Sequence, residues 1–374
     1  MKRLVLLGGG HAHVQVLADL AARPLAGWDV QLVSPYRRQI YSGMLPGWIA
    51  GHYPIEACAI PLDRLAARAA VAFRETSGTG LDLARQTVRC ADGRALPFDL
   101  LSIDTGPLAA LDGLPGAAEH ALPVRPIERF IAAWPSLVER IVGRCRRFDL
   151  VVLGAGAAGI ELAFAIGHRA RLEGWSHLYV TLVGSEDWPL PGAPPAARRR
   201  AATLLEQRAI RWLGGCRSTR LEPQRLRLDG APDLPFDACI VATGAAAAAW
   251  PAAAGLATDA QGYIRVDRSL QSISHPGVVA AGDVAAYADP RPKSGVYAVR
   301  AGPALVRSLR ALCAGHSPPA WRPQARALYL ISTGDRHALA TWGRWCWSGR
   351  WVWHWKDRID RRFMRRFGAA AGAR

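Results

Sequence analysis

The chain has 374 residues, half of them hydrophobic and 21% charged, a balance that excludes a disordered polyelectrolyte and a length that calls for two or three packed units. Its formal net charge is +17, yet 44 of the 47 basic residues are arginine, with only Lys2, Lys293 and Lys356 as lysine; alongside abundant alanine, that skew reads as GC-rich coding as much as selection for polyanions. The seven cysteines show no C-x-x-C or C-x4-C spacing, which excludes a redox dithiol or zinc site local in sequence and fits reduced thiols in a cytosolic compartment.

In chain order, residues 3–7 read as a buried strand, because the apolar run stops at Gly8-Gly9-Gly10, too soon for a secretion signal. A helix over about residues 11–23 and a strand over 29–34 follow. Residues 35–54 read as a glycine- and proline-studded loop, then a helix near 61–68 and strands near 70–75 and 87–90. Ala91-Asp92-Gly93-Arg94 has hairpin-turn chemistry, glycine supplying the positive φ. Strand 150–153, helix 156–169 and strand 179–183 repeat the opening plan, and this alternation predicts parallel, doubly wound sheets. The longest uncharged stretch, 238–258, is broken by Gly244, Pro251 and Gly255, which argues against a membrane span. Residues 277–283 read as another buried strand, leading to Asp283, and from about Arg322 tryptophan and arginine dominate.

The plan is an internal repeat. A strand and glycine turn at Gly8 and at Gly154 are each followed by Leu-Pro-Phe-Asp (96–99 and 234–237) and by Thr-Gly (Thr105-Gly106 and Thr243-Gly244), offset by 146 residues at the turn and 138 at both later landmarks. The second turn, Gly154-Ala155-Gly156-Ala157-Ala158-Gly159, is a complete G-x-G-x-x-G between strand and helix. That pattern gives a tight turn, close backbone approach and free helix N–H groups facing a pyrophosphate. The first turn has Gly8 and Gly10 but His13 at the third glycine position. The acidic residue expected at the end of the second strand of each copy is missing, the strands running into Ser34 and into Gly184-Ser185-Glu186-Asp187. The choice between NADH and NADPH is therefore unreadable from that feature. Arg198, Arg199 and Arg200 could meet a 2′-phosphate or form a solvated helix face. His11 and His13 on one helix point to different faces, which favours stacking or hydrogen bonding at a cofactor phosphate over a metal site.

These residues resemble the two-dinucleotide-binding-domain flavoproteins of the pyridine nucleotide–disulfide oxidoreductase superfamily over about residues 1–315, on the two glycine turns and the late Ala280-Ala281-Gly282-Asp283. The resemblance implies FAD at the first turn, NADH or NADPH at the second, and Asp283 on the ribityl–phosphate arm. Its expected cofactor contacts are Gly8, Gly10, His11, Ser34, Thr105, Gly106, Gly282, Asp283 and Val296, with Gly154, Gly156, Gly159 and Gly244 in the second copy. The disulfide reductases of that superfamily carry C-x4-C where this chain has Tyr41-Ser42-Gly43-Met44-Leu45-Pro46-Gly47. The pattern is more similar to type II NADH dehydrogenases and sulfide:quinone reductases, and, through Gly-Gly-Gly-His-Ala-His and residues 293–300, to the flavoprotein module fused to selenide, water dikinase. Glu161 matches a glutamate near the nicotinamide in type II enzymes; its own pattern leaves an ordinary helix-surface carboxylate open. Arg300-Ala301-Gly302 stands where those enzymes have glutamines, which leaves the acceptor open between a quinone and another small molecule. A sulfide- or selenium-linked flavoprotein oxidoreductase on the same fold and a non-catalytic membrane- or partner-binding flavoprotein are the alternatives.

Between Trp342 and Phe367 lie six tryptophans and eight basic residues, and Trp355, Ile359, Phe363 and Phe367 recur every four residues. An apolar stripe ringed by arginines reads as an interfacial helix on an anionic membrane, with packing on the chain itself or on a twin subunit as the alternative and nucleic acid disfavoured. The expected architecture is therefore α/β, with two Rossmann-like dinucleotide-binding domains and a C-terminal basic, tryptophan-rich helical element. The FAD domain is discontinuous (1–110 and 245–321), the NAD(P) domain is inserted (111–244), and the last element spans 322–374. The protein is expected to be cytoplasmic, peripheral on the inner face of the cytoplasmic membrane, with a homo-oligomer left open.

Overall fold

The computed structural model describes residues 1–368; the last six residues of the C-terminal segment lie outside the described residues. The strands used below are β1 (Lys2–Leu7), β2 (Trp28–Ser34), β3 (Ala72–Glu75), β4 (Leu100–Ile103), β5 (Leu122–Pro123), β6 (Phe148–Leu153), β7 (Leu178–Val183), β8 (Arg211–Leu213), β9 (Ala238–Val241), β10 (Val278–Ala280), β11 (Tyr329–Ser332), β12 (Ala338–Trp342) and β13 (Trp345–Gly349). The helices are α1 (His11–Ala22), α2 (Ala157–Leu172), α3 (Pro195–Gln207), α4 (Gly295–Cys313) and α5 (Arg350–Phe367).

Two five-stranded parallel sheets carry the fold, in the orders β10-β4-β1-β2-β3 and β5-β9-β6-β7-β8. The first takes strands from both ends of the chain, with β10 joining β4 through Val278 opposite Leu101, and the second is built from the sequence between them. The central strands are apolar without alternation, as a sheet covered on both faces requires: Leu4 to Leu7 are at most 2% exposed and Leu150 to Leu153 at most 1%. Across the first sheet α1 packs on α4. There Gln15 Nε2 donates to Val299 O at 2.6 Å, and a Cβ on Gly302 would stand 2.3 Å from that same nitrogen, so a larger residue there would have to displace the Gln15 amide from its hydrogen bond.

The repeat has a physical cause. In the first copy Arg3 N donates to Asp99 Oδ2 at 2.7 Å, and in the second Asp149 N donates to Asp237 Oδ2 at 2.8 Å. The aspartate of each Leu-Pro-Phe-Asp thus satisfies an N–H at the open end of the central strand. Each turn glycine has φ +100°, a region that favours glycine, and a Cβ there would collide with the strand end leading into Thr-Gly, 2.4 Å from Asp104 O at Gly8 and 2.7 Å from Ala242 O at Gly154.

Two expectations need correcting. Residues 35–54 are not a loop: they hold a strand at Arg38–Ile40, a 3-10 turn at Ser42–Met44 and a short helix at Leu45–Ile49, with Pro46 in its first turn, where a missing N–H costs nothing. Nor is the C-terminal segment all helical. Trp342, Trp345 and Trp347 lie on an antiparallel sheet, β11-β12-β13, and α5 begins only at Arg350. The expected apolar stripe on α5 is split, with Trp355 and Ile359 exposed and Phe367 buried. The face that packs holds Val352, Trp353, Lys356, Asp360 and Met364.

Candidate active site

At the C-terminal edge of the first sheet, α1 starts directly after Gly10. His13, in place of the third glycine, is fully buried, and its Nδ1 lies 2.6 Å from Gly8 O. A carbonyl only accepts, so Nδ1 carries the proton and Nε2 accepts from the Ser102 hydroxyl at 2.8 Å. Burial pushes the ring down to about 4, against the hydrogen bond to Gly8, so it is neutral at pH 7. Beside it the Asp104 carboxylate accepts from Ala12 N at 2.8 Å and His13 N at 2.9 Å. In the second copy Gly159 replaces His13, and its Cβ would fall 1.7 Å from Gly154 O and 3.4 Å from the Ala242 methyl, the counterpart of Asp104. The two departures of the first copy thus belong together: a wider gap between helix and strand is filled by an imidazole and a carboxylate. Burial raises Asp104 to about 7, against its two backbone hydrogen bonds, with the Asp283 charge adding to the rise.

The first turn retains what a dinucleotide pyrophosphate would need. His11 Nε2 is buried with no partner among the described residues, and burial, then the Arg125 charge, holds that ring near 4. Asp283 stands 3.6 Å from Arg125, accepts from Ser294 N at the start of α4, and is raised by burial against the pull of Arg125 and Lys293. Gly282 has φ +75°, and a Cβ there would stand 2.5 Å from Asp104 Oδ1. Ser34 is buried, its hydroxyl donating to Tyr36 O at 3.0 Å, and Thr105-Gly106 follow β4 on the rim.

A cleft of about 1180 Å³ joins the second turn to the N-terminus of α4. Gly154, Gly156 and Gly244 of the second copy line it together with Ser294, Gly295 and Val296, and Glu161 lines it too. A Cβ on Gly156 would meet nothing within 4 Å, so that glycine leaves open space over the N-terminus of α2. Glu161 is no surface carboxylate. Its Oε1 accepts from Ser332 N at 2.7 Å, and burial raises it to about 7, against the nearby Lys356 charge and that hydrogen bond.

The residues that sequence reasoning missed come from α5. Lys356 lines the cleft and donates to Gly43 O at 2.5 Å and to Asp360 Oδ2 at 2.7 Å, with side-chain exposures of 10% and 5%. Burial works against the charged form of each. For Lys356 the carboxylates of Asp360, Glu161 and Asp357 outweigh burial and raise it; for Asp360 burial prevails and raises it despite Lys356 and a hydrogen bond from Tyr41. The Tyr41 ring stacks on Phe363 at 4.6 Å, so α5 is fastened to the segment preceding Gly43 by both charge and stacking. The detectable signal was Val352, Lys356, Asp360 and Met364 at four-residue spacing beside the apolar stripe. Arg198, Arg199 and Arg200 do not line the cleft, since α3 packs on β12 and β13.

The profile of the pyridine nucleotide-disulphide oxidoreductase family matches residues 2–302. An NADH dehydrogenase-like protein of Mycobacterium tuberculosis is 27% identical over 304 residues, 76% of this chain and 73% of that protein. A demethylphylloquinone reductase of Synechocystis is 25% identical over 218 residues, 56% of this chain and 53% of that protein. The fold is similar to that of the sulfide:quinone oxidoreductase from Aquifex aeolicus, with a TM-score of 0.81 at 18% identity over 97% of this chain and 91% of that one.

Proposed function

This chain belongs to the pyridine nucleotide–disulphide oxidoreductase family, and on that premise we propose that it is an FAD-dependent enzyme that oxidises NADH or NADPH and delivers the electrons to a quinone-like acceptor without a protein dithiol. The observation that carries this reading is the single cleft joining the second glycine turn to the start of α4, since a nicotinamide and a flavin must share one enclosed space for hydride to pass between them. When bound, the flavin would supply the hydride acceptor and a store from which electrons can pass to a second acceptor.

The chain's own residues bind, orient and manage protons. Gly8, Gly10 and the unpartnered His11 Nε2 would hold the FAD pyrophosphate, and Asp283 its ribityl arm. Gly154 and Gly156 would admit the nicotinamide nucleotide to the N-terminus of α2. The N-terminus of α4 presents the positive end of a 19-residue helix to the cleft, where it favours negative charge. Glu161, with a proton affinity near neutrality, holds or releases a proton at the cleft wall, and Lys356 beside it keeps the site from accumulating negative charge. Of the seven cysteines only Cys216 lines the cleft, which supports electron exit by direct contact with a small acceptor. The Mycobacterium and Synechocystis relatives, by their names, support the dehydrogenase and the quinone halves of the reading.

The acceptor would reach the protein from an anionic membrane surface. Trp342, Trp345, Trp347, Trp351, Trp355 and Ile359 are each 38–56% exposed, and the pairs Trp345–Trp347 and Trp351–Trp355 stack. Arg358, Arg362 and Arg365 are exposed on the same helix, a combination suited to headgroups. No helix among the described residues is long and apolar enough to cross a membrane.

Gly156→Trp tests the reading, because the fold itself leaves room there. FAD should remain bound while reduction by NADH and NADPH is lost; reduction at the wild-type rate would remove the second turn from the mechanism.

A further inference from the structure

We propose that the second nucleotide site selects NADPH over NADH, with Arg217 and Ser185 recognising the 2′-phosphate on the adenosine ribose. The inference rests on the reading of the second glycine turn as the nicotinamide nucleotide site.

In a dinucleotide fold, an acidic side chain at the end of the second strand takes the ribose hydroxyls of NAD and repels a phosphate there. After β7 that place belongs to Gly184, and the structure excludes any side chain from it. A Cβ on Gly184 would stand 2.7 Å from Trp212 Cη2 and 2.8 Å from the Ala155 methyl. Trp212 is held over the glycine by its own hydrogen bond, Nε1 donating to Asp187 O at 3.2 Å.

The same loop is zipped to the segment after β8. Gly184 N donates to Leu213 O at 3.0 Å, Gly215 N to Glu186 O at 3.0 Å and Cys216 N to Gly184 O at 3.2 Å. That ladder holds the backbone of residues 215–216 against residues 184–186, and Ser185 and Arg217, which follow on the two segments, both line the cleft that the second turn also lines. Arg217 is exposed and makes no ion pair or side-chain hydrogen bond among the described residues, and the Ser185 hydroxyl is equally uncommitted. A guanidinium and a hydroxyl at the strand end, with the acidic position closed, match a phosphate monoester rather than a diol.

Glu186 also lines the cleft, three residues beyond the last residue of β7. Its carboxylate favours a diol, and the Asp187 carboxylate stands near the same ladder, where a Cβ on Gly215 would lie 3.0 Å from its Oδ1; the test includes Glu186.

Calorimetry on the FAD-loaded full chain, in which the flavin occupies the other adenosine site, compares 2′,5′-ADP with 5′-AMP. The wild type should bind 2′,5′-ADP at least about tenfold more tightly, the scale of one charge-assisted hydrogen bond. Arg217→Ala should erase that preference while leaving 5′-AMP affinity intact, which also controls for folding, and Ser185→Ala should reduce it. Glu186→Gln should strengthen 2′,5′-ADP binding. Equal or tighter binding of 5′-AMP by the wild type, or a loss of 5′-AMP binding in Glu186→Gln, would overturn the preference and leave the nucleotide site standing. Binding of neither fragment would overturn both the preference and the assignment of the site itself.

Discussion

Replacing Lys356 with methionine should loosen α5 from the body of the protein, because it removes the cation that compensates the buried Asp360 and the neighbouring Glu161. The ammonium sits 2.7 Å from Asp360 Oδ2 and 2.5 Å from Gly43 O, and it stabilises both Asp360 and Glu161. Taking away one partner of a buried pair costs about 3–5 kcal/mol, since the other charge is left without compensation. Removing both with Lys356→Met/Asp360→Leu leaves apolar side chains of similar volume, so the double variant should recover about 2 kcal/mol or more relative to the sum of the single losses. Hydrogen exchange of the α5 amides reads this locally, without requiring a two-domain chain to unfold in one step. At about 1.4 kcal/mol per tenfold change, Lys356→Met should lower protection by about a hundredfold or more, and the double variant should regain much of it. Protection within threefold of wild type in the single variant, or losses that simply add, would refute the claim that this pair holds the helix.

Three further outcomes follow from particular contacts. Gly159→Ala places a methyl 1.7 Å from Gly154 O. Calorimetric unfolding should show the second domain destabilised by about 3 kcal/mol or more; an unchanged transition would contradict the close helix–strand contact. Asp104 is raised to about 7, so in the FAD-free protein its contribution is full below its unfolded value near 4 and is lost as pH rises through about 7. Asp104→Asn should abolish a slope worth about 4 kcal/mol over that window, measured as the melting temperature between pH 4 and 8, and parallel pH curves for variant and wild type would count against it. Glu161, also raised to about 7, should impose a pH dependence on acceptor reduction that Glu161→Gln flattens in steady-state kinetics; an unchanged profile would remove its proton-holding role.

Both glycine turns, the strands around them and the return of the chain to its first sheet were legible because local chemistry dictates them. A positive φ against a neighbouring strand end demands glycine, and an aspartate pinning the N–H of the second residue of a central strand recurs at the same spacing. Residues 35–54 were not legible, because three- to five-residue elements are shorter than any periodicity that could announce them. The hairpin carrying Trp342, Trp345 and Trp347 was hidden for a related reason: aromatic spacings of two and three fit a strand or a helix equally. Lys356 and Asp360 were passed over because charged residues on a helix ordinarily face water. Only tertiary packing shows that the charged stripe is the one turned inward and that half of the apolar stripe is turned out. His13 and Asp104 were visible one at a time, as a missing glycine and an ordinary acid, and their compensation across the turn needed coordinates.

Passage of electrons from a nicotinamide nucleotide through bound flavin to a quinone can be monitored in an anaerobic absorbance titration of the purified protein with NADH and then NADPH, followed by a short-chain quinone. The flavin spectrum should bleach with nicotinamide nucleotide and recover on addition of the quinone. Bound flavin that neither nucleotide bleaches would contradict that electron path.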